Sequence, residues 1–344
     1  VIGFASCGGG VTMLKVRRCV RWFKGFKVSG FQRFQLKAHC VAKWLERLLV
    51  FCLVLFILPT APLFAEEQMI VAVSVPPQRY FVEKIGGQHV SVIVIGSGSG
   101  CPESYEPRPQ QMAEISRARI YFAIGFPFED VWLPKFSTTN PGMIICHTDE
   151  GIKKIPLAGH VESDVKLDTE KMTPSAGSHA HGMFDPHIWL SPSLVRIQAQ
   201  NITKALKKAD PANADYYQKN LEKFDGEITA LDMELRKNFG DMKPGKSFLV
   251  FHPSWGYFAA EYGLKQVPFE HEDREPSPRE MMKLVIFARE KGLKVIFVQP
   301  QMSPKVIDTF AKEIGGQTVL IDPLAENWAE NLKSVAVKIK DAAK

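Results

Sequence analysis

The sequence predicts an α/β protein of two doubly wound parallel-sheet lobes joined by one long backbone helix, with a metal site in the cleft between the lobes. Three observations carry this expectation. Short apolar runs alternate with helix-patterned stretches in two separate series, one apolar stripe runs through the segment that divides the series, and four scattered loop segments each offer one metal ligand.

In the first series the runs IVAVSV (70–75), VSVIVI (90–95), IYFAI (120–124) and MIIC (143–146) are separated by helical stretches such as 78–86 and 109–118. Strands spaced by helices need crossover connections, which make parallel neighbours. A further helix is expected at 192–208. The dividing segment, 211–239, opens with Asp210 as cap and Pro211 as first helical residue. Within it Tyr217, Leu221, Phe224, Ile228, Leu231 and Leu235 recur every three or four residues, the spacing of one buried helix face. An unbroken helix there is roughly 43 Å long at 1.5 Å per residue. Gly226 opposes continuity by about 1 kcal/mol relative to alanine. The second series holds SFLVF (247–251), QVPF (266–269), KVIFV (294–298) and TVLI (318–321). Ser277, Pro278 and Glu280 make a capping box with proline at the first helical position, and Ser303-Pro304 opens a helix that stops at Gly315-Gly316. The expected organisation is a first lobe over 66–210, a linking helix over 211–239 and a second lobe over 240–344.

Residues 1–65 carry ten Lys/Arg and one acidic residue and end in an apolar stretch followed by Glu66 and Glu67. The uncharged run from Leu48 to Leu58 is 11 residues, whereas a bilayer span takes roughly 20. The reading is a secretory signal cleaved near Ala65, with a retained anchor as the alternative. Without it the +6 chain becomes one of 33 basic and 36 acidic residues, net −3. The basic balance therefore belongs to the leader, and no nucleic-acid footprint remains. Of six cysteines only Cys101 and Cys146 lie beyond the leader. They could pair in an oxidising compartment, and their spacing fits neither a zinc ribbon nor a redox CxxC.

The four ligand segments are CPESYEPRP around Glu103, FDPHIWLSP around His187, FHPSWGYF around His252 and LIDPLAENW around Asp322. Two imidazoles and two carboxylates suffice to close a shell around one divalent ion. Glu103 follows the second strand, His252 the fifth and Asp322 the last, while His187 precedes the helix at 192–208. Ligands of open α/β sheets collect outside the carboxyl ends of strands, so two segments from each lobe meet in the cleft. Taken singly, each residue also fits a plain role. Glu103 suits a solvated loop acid, His187 and His252 hydrogen-bonded core histidines, and Asp322 before Pro323 the start of a turn. A closed shell suits holding a metal. An enzyme keeps an open coordination position and a general base, and no HExxH or paired-carboxylate motif is present.

With SYEPRP (104–109), FDPHIWLSP (184–192), FHPSWGYFAAEYGL (251–264), EPSPRE (275–280), FVQPQMSP (297–304) and LIDPLAENW (320–328) in this order, the chain resembles the periplasmic metal-binding proteins of zinc and manganese ABC importers. The resemblance runs from about Met69 to the C-terminus and implies that His187, His252 and Asp322 occupy ligand positions. It departs from the family at Glu103, where a histidine normally precedes the SYEP-like motif. Manganese members also use two His, one Glu and one Asp, but their glutamate stands at the place of His252. Composition thus leans towards manganese and position towards zinc. A Cys101 thiolate would pull the preference back to zinc, although a packed cysteine in a glycine-rich turn is the plainer reading.

The stretch from about 157 to 184, with His160, Asp164, Asp168, Glu170, His179 and His181 and followed by Asp185, stands where zinc members carry a histidine-rich loop. Here it is sparse and reads as a polar loop with incidental histidines. His89, His147 and His271 are taken as surface or structural. The resemblance implies capture of zinc in the periplasm by a monomer and delivery to an ABC permease in the inner membrane, with manganese or iron as the alternative cargo. A secreted metallohydrolase and an adhesin on the same scaffold are the rivals from other classes. Ligation requires neutral imidazole and ionised carboxylate, so affinity falls as pH drops through the histidine range.

Overall fold

The computed structural model describes residues 44, 68–96, 105–157, 184–270, 276–300 and 304–343. Cys101, Glu103, His160, His179, His181, His271 and all of the leader except residue 44 lie outside the described residues.

The first lobe runs β1 (Met69–Val73), α1 (Pro76–Gly86), β2 (Val90–Val94), α2 (Pro109–Ile115), β3 (Ile120–Ala123), α3 (Pro127–Thr139) and β4 (Ile144–His147). Its strands are all parallel in the order β2-β1-β3-β4. Val71, Ala72 and Val73 are fully buried, as expected where helices cover both faces of a parallel sheet. Helix α1 begins two residues before the expected 78, because both Pro76 and Pro77 fit a first helical turn. Helix α2 stops at Ile115 rather than 118, where the Ser116 hydroxyl donates to the Ala113 carbonyl at 2.7 Å.

The three helices that follow strands share one starting device, a proline in the first turn and Gln or Glu at the third helical position. The Gln78 side chain accepts from the N–H groups of Ser74 (2.9 Å) and Val75 (3.1 Å), and that of Gln111 from Arg108 (2.9 Å). Glu129 accepts from Ile124 (3.0 Å), Gly125 (2.8 Å) and Phe126 (3.2 Å). Each side chain reaches back one turn and satisfies donors that the helix start leaves open. The loops at the strand carboxyl ends are thereby stiffened. Burial pushes the Glu129 carboxyl up to about 7, against the hydrogen bonds from Ser74 and the three N–H groups.

Helix α4 (Pro192–Ala209) leads through a 3-10 turn (Pro211–Asn213) into α5 (Ala214–Phe239). Pro211 opens that short turn rather than the long helix, and the Tyr217 hydroxyl donates to the Asp210 carboxylate at 2.6 Å across it. The 26 residues of α5 continue unbroken through Gly226, roughly 39 Å at 1.5 Å per residue. A Cβ at Gly226 would meet nothing within 4 Å, so its cost is conformational only, about 1 kcal/mol. Tyr217, Phe224, Ile228, Leu231, Leu235 and Phe239 are buried along the helix, and each such side chain contributes about 1.5–3 kcal/mol. The stripe outweighs the glycine.

The second lobe runs β5 (Lys246–Val250), α6 (Gly256–Glu261), β6 (Leu264–Pro268), α7 (Pro278–Glu290), β7 (Val295–Val298), α8 (Pro304–Glu313), β8 (Gln317–Leu320) and α9 (Trp328–Ala342). Its order, β6-β5-β7-β8, repeats that of the first sheet, again with parallel pairs. Side chains of β5 and of the residue after it alternate between two cores: Phe248 and Val250 enter the larger one, while Leu249 and Phe251 join Val267, Ile296 and Phe310 in a smaller one. The Ser277 capping box is present, with Ser277 N donating to Glu280 Oε2 at 2.7 Å. Helix α5 packs on α1, α4 and α9. Trp328 at the start of α9 lies 5.1 Å from the Phe81 ring and 6.4 Å from that of Phe224, which ties the last helix to the first lobe and to the long helix. Cys146 is a free thiol whose sulfur donates to the Asn201 carbonyl at 3.7 Å, and burial pushes it up to about 11.

Candidate metal centre

His187 sits at the head of a 3-10 turn (Ile188–Leu190) just before α4 and is 4% exposed. Asp185, fully buried, accepts from the His187 backbone N–H at 2.8 Å and meets its ring Nδ1 at 2.8 Å. An ionised carboxylate can only accept, so Nδ1 carries the proton and Nε2 keeps the lone pair that a metal needs. Trp189 and Phe126 flank the ring at 5.1 and 6.3 Å.

His252 follows β5 and is 5% exposed. The β5–β6 pairing continues past the strand ends, with Phe269 N donating to the Val250 carbonyl at 2.7 Å and Glu270 N to that of Phe251 at 2.9 Å. That extension brings Glu270 beside His252, where its Oε2 meets Nδ1 at 2.9 Å. The same logic assigns the proton to Nδ1 of His252. The two rings, from different lobes, lie 5.5 Å apart between centroids at 70°. Two imidazoles in contact, each with a carboxylate on Nδ1, are the kind of arrangement that imidazole ligation of a transition metal uses.

Asp322 follows β8 and does what its Asp-Pro pair suggests, with Oδ1 accepting from Leu324 N at 2.9 Å in a turn. Its carbonyl accepts from Asn331 Nδ2 at 2.7 Å. The turn is stitched to the His187 segment by two indoles: Trp189 Nε1 donates to the Pro323 carbonyl at 2.7 Å, and Trp328 Nε1 to the Trp189 carbonyl at 2.6 Å. The structure thus brings the His187 and His252 rings into contact and ties the Asp322 turn to the His187 segment through two indoles. Among the described residues no three His, Cys, Asp or Glu side chains stand close enough together to hold an ion. Glu103 and Cys101 lie outside the described residues. His147 is exposed, and His89 packs on the Tyr216 ring at 4.7 Å, in keeping with surface or structural roles.

Sequence reasoning missed the two carboxylates behind the imidazoles. In sequence Asp185 groups with the polar loop before it, yet it lies two positions from the histidine it orients. Glu270 is 18 residues from His252, and only strand pairing places it there. Asp185 Oδ2 is buried with no hydrogen-bond partner, and Gly256 lies against it: a Cβ on Gly256 would come within 2.5 Å of that oxygen. Glycine is required there by the close approach of the second lobe to the His187 turn. The next residue, Tyr257, donates its hydroxyl to the Asp185 carbonyl at 2.9 Å and accepts from Ile155 N at 3.1 Å.

The family model for ZnuA, "Zinc-uptake complex component A periplasmic", matches residues 71–342. The high-affinity zinc uptake system protein ZnuA of Bacillus subtilis (strain 168) is 32% identical over 252 residues, covering 72% of this chain and 76% of that protein. A crystal structure of ZnuA superposes with a TM-score of 0.71 at 41% identity, over 81% of this chain and 100% of that one. A ZnuA deletion mutant with zinc bound superposes equally well, at 41% identity over 81% of this chain and 99% of its own.

Proposed function

The chain belongs to the zinc-uptake complex component A periplasmic family, and from that membership we propose that it holds one zinc ion between its lobes through Nε2 of His187 and Nε2 of His252, completed by Asp322 and Glu103. It is a solute-binding protein that captures zinc for a cognate ABC transporter. It is not an enzyme, and the metallohydrolase reading falls with that membership. The proposed course is secretion through the leader, capture by a monomer in the periplasm, and delivery to a permease in the inner membrane. The proposed division of labour is 66–210 and 240–344 as the two ligand-bearing lobes and 211–239 as the strut between them.

The observation that carries the ligand assignment is the imidazole pair, rings 5.5 Å apart, each with a carboxylate on Nδ1. Zinc takes four nitrogen, sulfur or oxygen donors and binds such donor sets above manganese. Manganese is the second reading, favoured by the hard carboxylate at Glu103. Competition titration of the mature protein against a metal indicator tests both. The expected result is one zinc per chain, bound more tightly than manganese. Tight manganese binding with negligible zinc binding would overturn the zinc assignment.

A further inference from the structure

Helix α6 is six residues long and begins four residues after His252. Both of its ends grip the segment that carries His187. At the front, Gly256 and Tyr257 meet Asp185. At the back, the Glu261 carboxylate accepts from the Ser191 hydroxyl and, at 3.2 Å, from Ser193 N. Ser191 is the N-cap of α4, so a carboxylate from the second lobe completes the start of a helix in the first. The Glu261 side chain is only 8% exposed, and Arg236 on α5 stands 3.7 Å from it. Arg236 in turn pairs with Asp232 at 3.0 Å, and Asp232 accepts from the Tyr262 hydroxyl at 3.1 Å. Three elements therefore close on one carboxylate: α6, α4 and the long helix α5.

The two ring nitrogens of a tetrahedral zinc site, each about 2.0–2.1 Å from the metal, stand roughly 3.3 Å apart. His187 and His252 come from different lobes, so that spacing is set by how the lobes are seated. A larger ion asks the two loops to part. We infer that Glu261 is a positioning residue, which locks α6 to the α4 N-terminus and so holds the His187–His252 spacing at a value that favours zinc over larger ions. This inference rests on the proposed role of those two histidines. It assigns metal selectivity to a residue that touches no metal.

The test compares the parent protein with Glu261→Ala, Glu261→Gln and Ser191→Ala, measuring zinc affinity, cadmium affinity and melting of the metal-free protein. Cadmium is the larger ion of equal charge. Glu261→Ala is expected to lower zinc affinity by about tenfold, at the lower edge of what losing an outer-shell partner does, and to weaken cadmium much less, so that discrimination narrows. Ser191→Ala, which removes the donating hydroxyl, should shift the ratio in the same direction. Glu261→Gln keeps an acceptor for Ser193 N and should restore most of the parent's ratio. Loss of stability alone lowers both affinities together and leaves their ratio in place. An unchanged zinc-to-cadmium ratio in a folded Glu261→Ala or Ser191→Ala protein would overturn the inference. If the parent's zinc binding were indifferent to His187→Ala and His252→Ala, the ligand assignment itself would have failed instead.

Discussion

Replacing either His187 or His252 by alanine is expected to weaken zinc binding by well over 100-fold, beyond the 10–100-fold that follows loss of an outer-shell partner. Removing both His179 and His181 should cost less than about tenfold on the same scale. The difference follows from placement. Each of the first two rings is buried and fixed by a carboxylate, His187 by Asp185 and His252 by Glu270, so the donor nitrogen is oriented before the ion arrives. An alanine there removes the oriented donor itself. His179 and His181 belong to a polar stretch that would assist capture without closing the shell. Competition titrations on the three variants, with melting of the metal-free proteins as the control for core damage, separate the two cases. A double loop variant as impaired as His187→Ala would place the site elsewhere.

Glu103 carries the second large effect, because the resemblance to the zinc family breaks at that residue. As the fourth donor, Glu103→Ala should lower affinity strongly, while Glu103→His should restore binding and move preference from manganese towards zinc, since imidazole is the softer ligand. Cys101→Ser is the control. A thiolate ligand would make that change costly for zinc and nearly neutral for manganese, whereas a packed cysteine would make it neutral for both. If Glu103→Ala bound zinc as tightly as the parent while Cys101→Ser did not, the ligand would be the cysteine. If neither change mattered, the first loop would supply no donor and water would complete the shell.

The fold was legible because its signals are local. Apolar runs of four to six residues spaced by helices leave little choice but parallel sheets, and the stripe from Tyr217 to Leu235 could only be one buried helix face. Element ends were less legible. The Gln78, Gln111 and Glu129 starts repeat the proline and third-position acceptor of the Ser277 box, but with Val75, Arg108 and Phe126 where the serine stands. Without a side-chain acceptor at the cap position, they carry a weaker start signal than Ser277 does. The meeting of the two imidazoles was legible as well, since His187 and His252 sit in proline-bounded aromatic segments that mark stiff loops. The orienting carboxylates were not. Asp185 became visible as a partner only once the turn around His187 was built, and Glu270 only once β6 was laid beside β5. Gly256 carries no sequence signal at all, because its reason is the approach of Asp185, 71 residues earlier in the chain.

X-ray absorption at the zinc edge of the loaded protein, read in the parent and in His187→Ala and His252→Ala, tests most directly whether these two rings grip the metal. The expected parent spectrum shows two imidazoles, with nitrogens at about 2.0–2.1 Å, and carboxylate oxygens at about 2.0–2.2 Å, with no sulfur near 2.3 Å. Each variant, loaded at high zinc, should show one imidazole fewer. A parent spectrum with a single imidazole, or variants whose imidazole count is unchanged, would contradict an ion held between the lobes by His187 and His252.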